Sequence, residues 1–272
     1  MKRVWGHVLA GSALLAIGGA AFSACVHNDS SIFVQDVLAP QEVSNGQSCT
    51  FTSATTQPVL SSGVLDVDFR YNYNPTYLVG NQLVAEANAQ QLVTETSTIT
   101  IQGAVVRITD AAGNQLANYT RLASGTIYPA VGGVPGYAPI SVTAVIDNST
   151  VANNATIRST VINAPPRTAS VRLVTYVRFF GNTLGGRYVE SDEFEFPVDV
   201  CRGCLITFSP QDISPNAPVP NCLGNSAAGS STAQQTLPCV VGQDLSIDCV
   251  QCQGIPDCAG AYQGGPLDGG AG

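Results

Sequence analysis

Two cysteine pairs have the most explicit chemical spacing in the chain: Cys201-Arg202-Gly203-Cys204 and Cys249-Val250-Gln251-Cys252. One CxxC followed by another is the spacing of a four-thiolate zinc site, since both sulfurs of each pair can reach one tetrahedral ion. The competing chemistry is oxidation of these sulfurs to disulfides, the rule outside the cytoplasm. A thioredoxin-like redox pair requires the motif to open a helix, whereas Leu205-Ile206-Thr207-Phe208 reads as extended. A second group is acidic: Glu190, Asp192, Glu193 and Glu195 offer oxygen ligands of the kind calcium takes. The same run also reads as the solvated face of a hairpin and edge strand. Tyr71, Tyr73 and Tyr77 would line a shallow binding pocket if they faced outward, and would be core if inward.

The residue types that are missing narrow the chemistry further. Lys2 is the only lysine, Met1 the only methionine and Trp5 the only tryptophan; the two histidines are His7 and His27. A folded domain beginning near residue 30 therefore has neither His nor Lys. Ser-His-Asp and Cys-His machinery, Schiff-base lysines, serine–lysine dyads and His-rich metal centres are all excluded from it. Carboxylate-pair hydrolysis is left, which needs two carboxylates about 5–10 Å apart across a cleft. A cleft without Trp is a poor platform for sugars, so no enzymatic activity, cofactor or metal is expected.

The nine cysteines are Cys25, Cys49, Cys201, Cys204, Cys222, Cys239, Cys249, Cys252 and Cys258. An odd count in an exported protein requires one sulfur to have another use. The start of the chain supplies it. Lys2 and Arg3 precede a segment without charge from Val4 to Ala24, whose apolar stretch Val8 to Ala21 ends in small residues. That is the pattern of a secretory signal. A membrane-spanning helix is the alternative, but Gly6, Gly11, Gly18 and Gly19 interrupt it and no basic stop follows.

Phe22-Ser23-Ala24-Cys25 resembles the lipobox of bacterial lipoproteins, with Phe22 where the family usually has Leu. The resemblance implies cleavage before Cys25, a diacylglyceryl thioether on its sulfur and fatty acylation (palmitate) of its amine. Val26 stands where an inner-membrane retention signal would have Asp, which favours the outer membrane. Lipidating Cys25 leaves eight cysteines free to pair with one another. Cys49 is then the only one of these before residue 201, so an intrachain partner must lie among Cys201 to Cys258.

The chain so read has a signal peptide over 1–24, a lipidated tether over 25–31, a β domain over 32–200, a cysteine-rich cap over 201–258 and a Gly-rich, disordered tail over 259–272. Of 11 basic residues, nine arginines follow the signal, against 19 acids, a balance of −10. Such a surface repels phosphate backbones, which argues against nucleic acid as a partner.

The elements that must position these residues are strands. Ile32 to Leu38, Leu65 to Tyr71, Tyr77 to Val84, Thr96 to Ile101, Ala104 to Thr109, Gln115 to Leu122, Gly125 to Tyr128 and Ile140 to Ile146 read as extended. Asp110-Ala111-Ala112-Gly113-Asn114 is a turn, and Gly132-Gly133-Val134-Pro135-Gly136 a loop. Residues 148–163 are ambiguous. Val171 to Phe180 should put Val171, Leu173, Val177 and Phe179 on one face. Glu193 to Val200 should turn Phe194, Phe196, Val198 and Val200 inward. Pro197 predicts an edge for that strand, and Arg172 and Arg178 face its carboxylates. Many short strands without a long helix predict an antiparallel, immunoglobulin-like β-sandwich with a disulfide-stapled, loop-rich C-terminal cap.

The run from Val171 through Gly181-Asn182-Thr183-Leu184-Gly185-Gly186 to Phe196-Pro197-Val198-Asp199-Val200-Cys201 is similar to uncharacterised myxobacterial envelope lipoproteins, and Val37-Leu38-Ala39-Pro40 fits the same likeness. It implies an envelope location and no particular activity. The function expected is that of a non-enzymatic, lipid-anchored envelope protein with a structural or interaction role, its partners the membrane and an envelope protein or glycan. A peptide- or glycan-binding surface module is the alternative, and a carboxylate-based hydrolase the remaining one.

Overall fold

A computed structural model describes residues 30–43, 48–86, 94–207 and 238–248. The segment with the lipobox and Cys25, the cysteines Cys222, Cys249, Cys252 and Cys258, and the tail over 259–272 lie outside the described residues.

The protein is mainly β, with antiparallel and mixed sheets. The smaller sheet runs β10 (Gly136–Ser141), β6 (Thr76–Asn81), β1 (Ile32–Leu38), β4 (Val59–Leu60). The larger runs β5 (Gly63–Asp66), β13 (Phe194–Cys201), β11 (Ser170–Thr183), β7 (Ile99–Asp110), β8 (Gln115–Arg121). β9 (Gly125–Ile127) adds to β7 and β12 (Tyr188–Glu190) to β11. Two small pairs complete the set: β2 (Gln41–Glu42) with β3 (Cys49–Thr50), and β14 (Ile206–Thr207) with β15 (Ile247–Asp248).

Period-two patterning places the core. Along β11, Leu173, Thr175, Val177 and Phe179 are buried, and on β13 so are Phe196, Val198 and Val200. From the smaller sheet, Ile32, Val37, Tyr77 and Val79 join the same cluster. Tyr77 meets Phe179 edge-on at 5.4 Å between ring centroids, locking one sheet to the other. Thr175, the polar residue in this row, donates its hydroxyl to the Phe196 carbonyl at 2.8 Å, so its burial leaves no lone donor.

Several elements differ from the expectation for physical reasons. The alternating stretch Leu65 to Tyr71 stops being a strand at Asp66. That residue's carboxylate accepts the Asp68 N–H, and its carbonyl accepts those of Phe69 and Arg70, which curls the chain into a turn. The two strands expected over 96–109 are one strand, β7, with a register shift against β11 between Phe180 and Gly181. A Cβ at Gly181 would lie 2.2 Å from the Thr100 carbonyl, so only glycine permits this approach. The Pro197 strand is an edge only in its first half, because β5 pairs with it in parallel from Val198 to Cys201. That pairing also makes the larger sheet mixed rather than purely antiparallel. The ambiguous 148–163 segment is helical: α1 (Asn148–Asn153), α2 (Ala155–Ile157) and a π-helical turn (Arg158–Ile162). Asp147 and Asn154 cap α1 and α2 by accepting the Thr150 and Ile157 N–H groups.

Strand register divides the molecule into two ends. At one end lie the start of β1, the end of β6 and the start of β10, with Ile32 and Gly136 both opposite Asn81. The start of β7 and the ends of β9 and β11 are there as well, since Ile99 pairs with Ile127 and Thr183. Asn81 ties the sheets together here by donating to the Ser97 and Ile127 carbonyls. At the other end lie the finish of β13, the Asp66 turn and the first residues of the cysteine-rich piece.

Candidate functional site

The CxxC motif at Cys201 closes β13 and turns the chain over the end of β5. Gly203 takes φ +67° at the apex, a left-handed conformation that suits glycine. Cys201 and Cys204 are bonded to each other. Beneath them Asp66 is fully buried. Its carboxylate accepts the Gly203 N–H at 2.7 Å and the Leu205 N–H at 3.0 Å, besides that of Asp68. Burial pushes the Asp66 carboxyl above its ordinary range, and the three N–H bonds pull against that shift. Arg202 turns away from the sulfurs, pairing through Nε with Asp68 at 2.9 Å and donating to the Ile162 and Ala164 carbonyls.

A second acid, half-buried, stands beside this turn. Asp244, on the returning segment 238–248, accepts the Val64 N–H at 2.8 Å and the Tyr73 hydroxyl at 3.0 Å. Its neighbour Gln243 accepts the Asn74 N–H and donates to the Asn74 carbonyl. Burial raises the Asp244 carboxyl. Burial and the adjacent Asp244 together push the Tyr73 hydroxyl well above its ordinary range. The cysteine-rich piece is thus joined to the β domain by the Cys49–Cys239 disulfide and by side chains that take over unpaired amides of β5 and the Asn74 loop.

Chemically, the CxxC turn offers a closed disulfide with one buried sulfur-bearing residue, Cys201, and one exposed, Cys204. Its two sulfurs and an Asp66 oxygen lie within 4.8 Å of one another, a trio of the size that could hold a zinc-like ion once the sulfurs were reduced. In the oxidised form each sulfur's bonding capacity is taken up by the other. The four-thiolate zinc arrangement would also need Cys249 and Cys252, which lie outside the described residues.

The acidic group does not converge. Glu193 is bidentate to Arg107, whose hydrogen bond holds its carboxyl below the usual range. Glu190 pairs with Arg178 at 3.0 Å, and Asp192 accepts from Ser30. Glu195 sits opposite Tyr176 in the β13–β11 register. These are cross-strand ion pairs of a solvated face, as with Arg172 and Asp199 on the same strands. The tyrosines also separate: Tyr73 and Tyr77 are fully buried in the core, while Tyr71 is partly exposed. Sequence reasoning misses Asp66, Asp68 and Asp244. The first two alternate with Leu65, Val67 and Phe69 as the wet face of a strand would, and no local pattern marks Asp244 as reaching a β5 amide 180 residues away.

This geometry defines a disulfide-closed, mainly β protein in which Asp66, buried, and Asp244, half-buried, are bound by backbone amides. No family model, curated protein or solved structure matches the chain.

Proposed function

We propose that this chain is a lipid-anchored cell-envelope protein with a structural or interaction role rather than an enzymatic one. In this reading it is an immunoglobulin-like β-sandwich held by Cys25 in the outer membrane, carrying a disulfide-stapled cap. The observation that supports it best is the Cys49–Cys239 disulfide. Such bonds persist in oxidising compartments, which is where the signal at residues 1–24 would deliver the chain. The two carboxyls add support, because Asp66, buried, and Asp244, half-buried, are engaged by backbone amides and the Tyr73 hydroxyl.

An intact mass of the protein purified from membranes, with and without reduction and alkylation, tests this. The expected result is a chain beginning at Cys25 with acyl chains added and eight thiols that appear only on reduction. A chain without lipid, or thiols released by a chelator alone, would sink the reading.

A further inference from the structure

The large apolar side chains left exposed are unevenly placed. Of the nine among the described residues, Val84, Tyr128, Val131, Val134, Leu184 and Tyr188, each between 56% and 73% exposed, lie at or beside one end of the molecule; the other three are Leu122, Val59 and Tyr71. Val131 and Val134 form the tip of a two-residue hairpin, exchanging hydrogen bonds of 3.0 and 3.1 Å across Gly132 and Gly133. Both glycines have positive φ, +61° and +83°, as a primed turn requires. Residues directly opposite in such a pair point to the same side, so the tip presents two valines together. Val84 bridges to Ala130 beside them, and the Leu184 N–H donates to the Thr98 carbonyl at the same end.

This is also the end at which the tether arrives. The Ser31 carbonyl accepts the Gln82 N–H, two residues from Val84. Between Cys25 and Ser30 the chain can span at most about 18 Å. From Leu122 to Ile146 there is no charged residue, in a chain of net charge −8. Among the described residues the charges nearest this end are Glu86, Glu95, Arg187 and Asp192, and Asp29 precedes Ser30 on the tether. Glu95 accepts the Glu86 and Ser97 N–H groups, Glu86 accepts the Thr96 hydroxyl, and Asp192 accepts from Ser30.

We propose that this apolar end rests on the lipid surface, with Tyr128 and the Val131–Val134 tip seated among zwitterionic headgroups, so that the CxxC turn at Cys201 and the segment 238–248 face away from the membrane. The proposal rests on the lipid-anchor reading for the tether's position. An uncharged, aliphatic tip with flanking tyrosines suits the boundary between headgroup and acyl chain. The acids nearby disfavour anionic lipid. Along β11 the two ends are separated by 14 residues, roughly 45 Å at strand rise.

The test uses the absence of Trp after residue 5. Single tryptophans are introduced as Val131→Trp at this end and Val59→Trp at the other, where Val59 pairs with Leu38. The lipidated proteins are reconstituted into phosphatidylcholine vesicles with brominated acyl chains. A parallel set of chains from residue 26 is held to nickel-chelating vesicles of the same lipid by an N-terminal hexahistidine, which places the tether regardless of native lipidation. The expected result in both sets is blue-shifted emission at position 131 that bromine quenches several-fold more than emission at position 59. Adding Val134→Asp to the position-131 probe should abolish that difference. Equal, weak quenching at both positions overturns the proposal. A blue shift at 131 without bromine quenching also overturns it, and identifies a second copy of the chain as what covers the tip. An unlipidated native mass with position-selective quenching in the hexahistidine set would reject the anchor and keep the surface.

Discussion

Replacing Asp66 by Ala tests whether one buried carboxylate holds the CxxC turn to the β domain. The side chain accepts three backbone N–H groups, two of them, Gly203 and Leu205, on buried residues. An amide left unsatisfied in the interior costs about 1–3 kcal/mol, so these two contribute roughly 2–6 kcal/mol. Against that stands relief from burying the carboxylate itself, whose raised pKa shows that its charged form is penalised. The net expectation is a loss of about 2–4 kcal/mol. It is measured by urea unfolding without reductant, so that Cys49–Cys239 and Cys201–Cys204 stay closed. Asp66→Asn keeps one acceptor oxygen and should fall between wild type and Asp66→Ala. With the turn loosened, dithiothreitol should reduce Cys201–Cys204 faster in Asp66→Ala while reducing Cys49–Cys239 at the wild-type rate. An Asp66→Ala protein within about 0.5 kcal/mol of wild type, with unchanged reduction of Cys201–Cys204, would refute the reasoning.

Removing the long cross-link with Cys49→Ser and Cys239→Ser together should cost about 5 kcal/mol in the chain-entropy model, given the separation of 190 residues, and denaturant titration without reductant reads it. Gly181→Ala places a Cβ 2.2 Å from the Thr100 carbonyl, so a loss of roughly 1–3 kcal/mol is expected from the shift it forces, visible as a lowered Tm. By contrast Arg172→Ala should leave Tm nearly unchanged, because its pair with Asp199 is exposed on the arginine side; high salt should shrink even that small effect. Asp244 titrates above the ordinary aspartate value of 3.8 when folded. Between those two values the native state holds the extra proton, so its contribution falls as pH rises through that window. Unfolding midpoints at several pH values should show the advantage of wild type over Asp244→Asn shrinking as pH rises, and a growing advantage would refute the assignment.

Much of the β domain is legible in the sequence because alternation survives wherever one face is buried. Ile32 to Leu38 is β1 without correction, and the inward faces of β11 and β13 fall where Leu173, Val177, Phe196 and Val198 predict. Alternation misleads at Leu65 to Tyr71, where the charged residues that look like a wet face include Asp66, which is buried and bound by amides. Nothing in a local pattern distinguishes an aspartate facing water from one facing three N–H donors. The same limit hides Asp244 and Gln243, whose partners are at Val64 and Asn74. The short helical turns at 148–162 carry no periodic apolar face, and their caps, Asp147 and Asn154, are residue types equally common in loops. Sheet order is likewise silent in sequence. The parallel seat of β5 beside β13 follows from long-range packing, and it is what covers the second half of the Pro197 strand.

The Cys49–Cys239 bond also sets how the molecule carries tension. Suppose the membrane holds the chain before Ser30 while something pulls on residues beyond Cys239. The covalent route then runs from Ser30 to Cys49, across the sulfurs and out, bypassing the chain enclosed between Cys49 and Cys239. On the anchored side residues 30–49 can pay out, a length of about 70 Å when fully drawn, and on the other side Gln243 and Asp244 must first leave Asn74 and Val64. Within residues 30–49 β1 is the one long strand, and it lies antiparallel along β6, so pulling along its axis loads its hydrogen bonds together in shear instead of one at a time. A chain anchored this way gives way by short steps on either side of the disulfide, and the covalent bypass spares the chain enclosed between Cys49 and Cys239 from being drawn out.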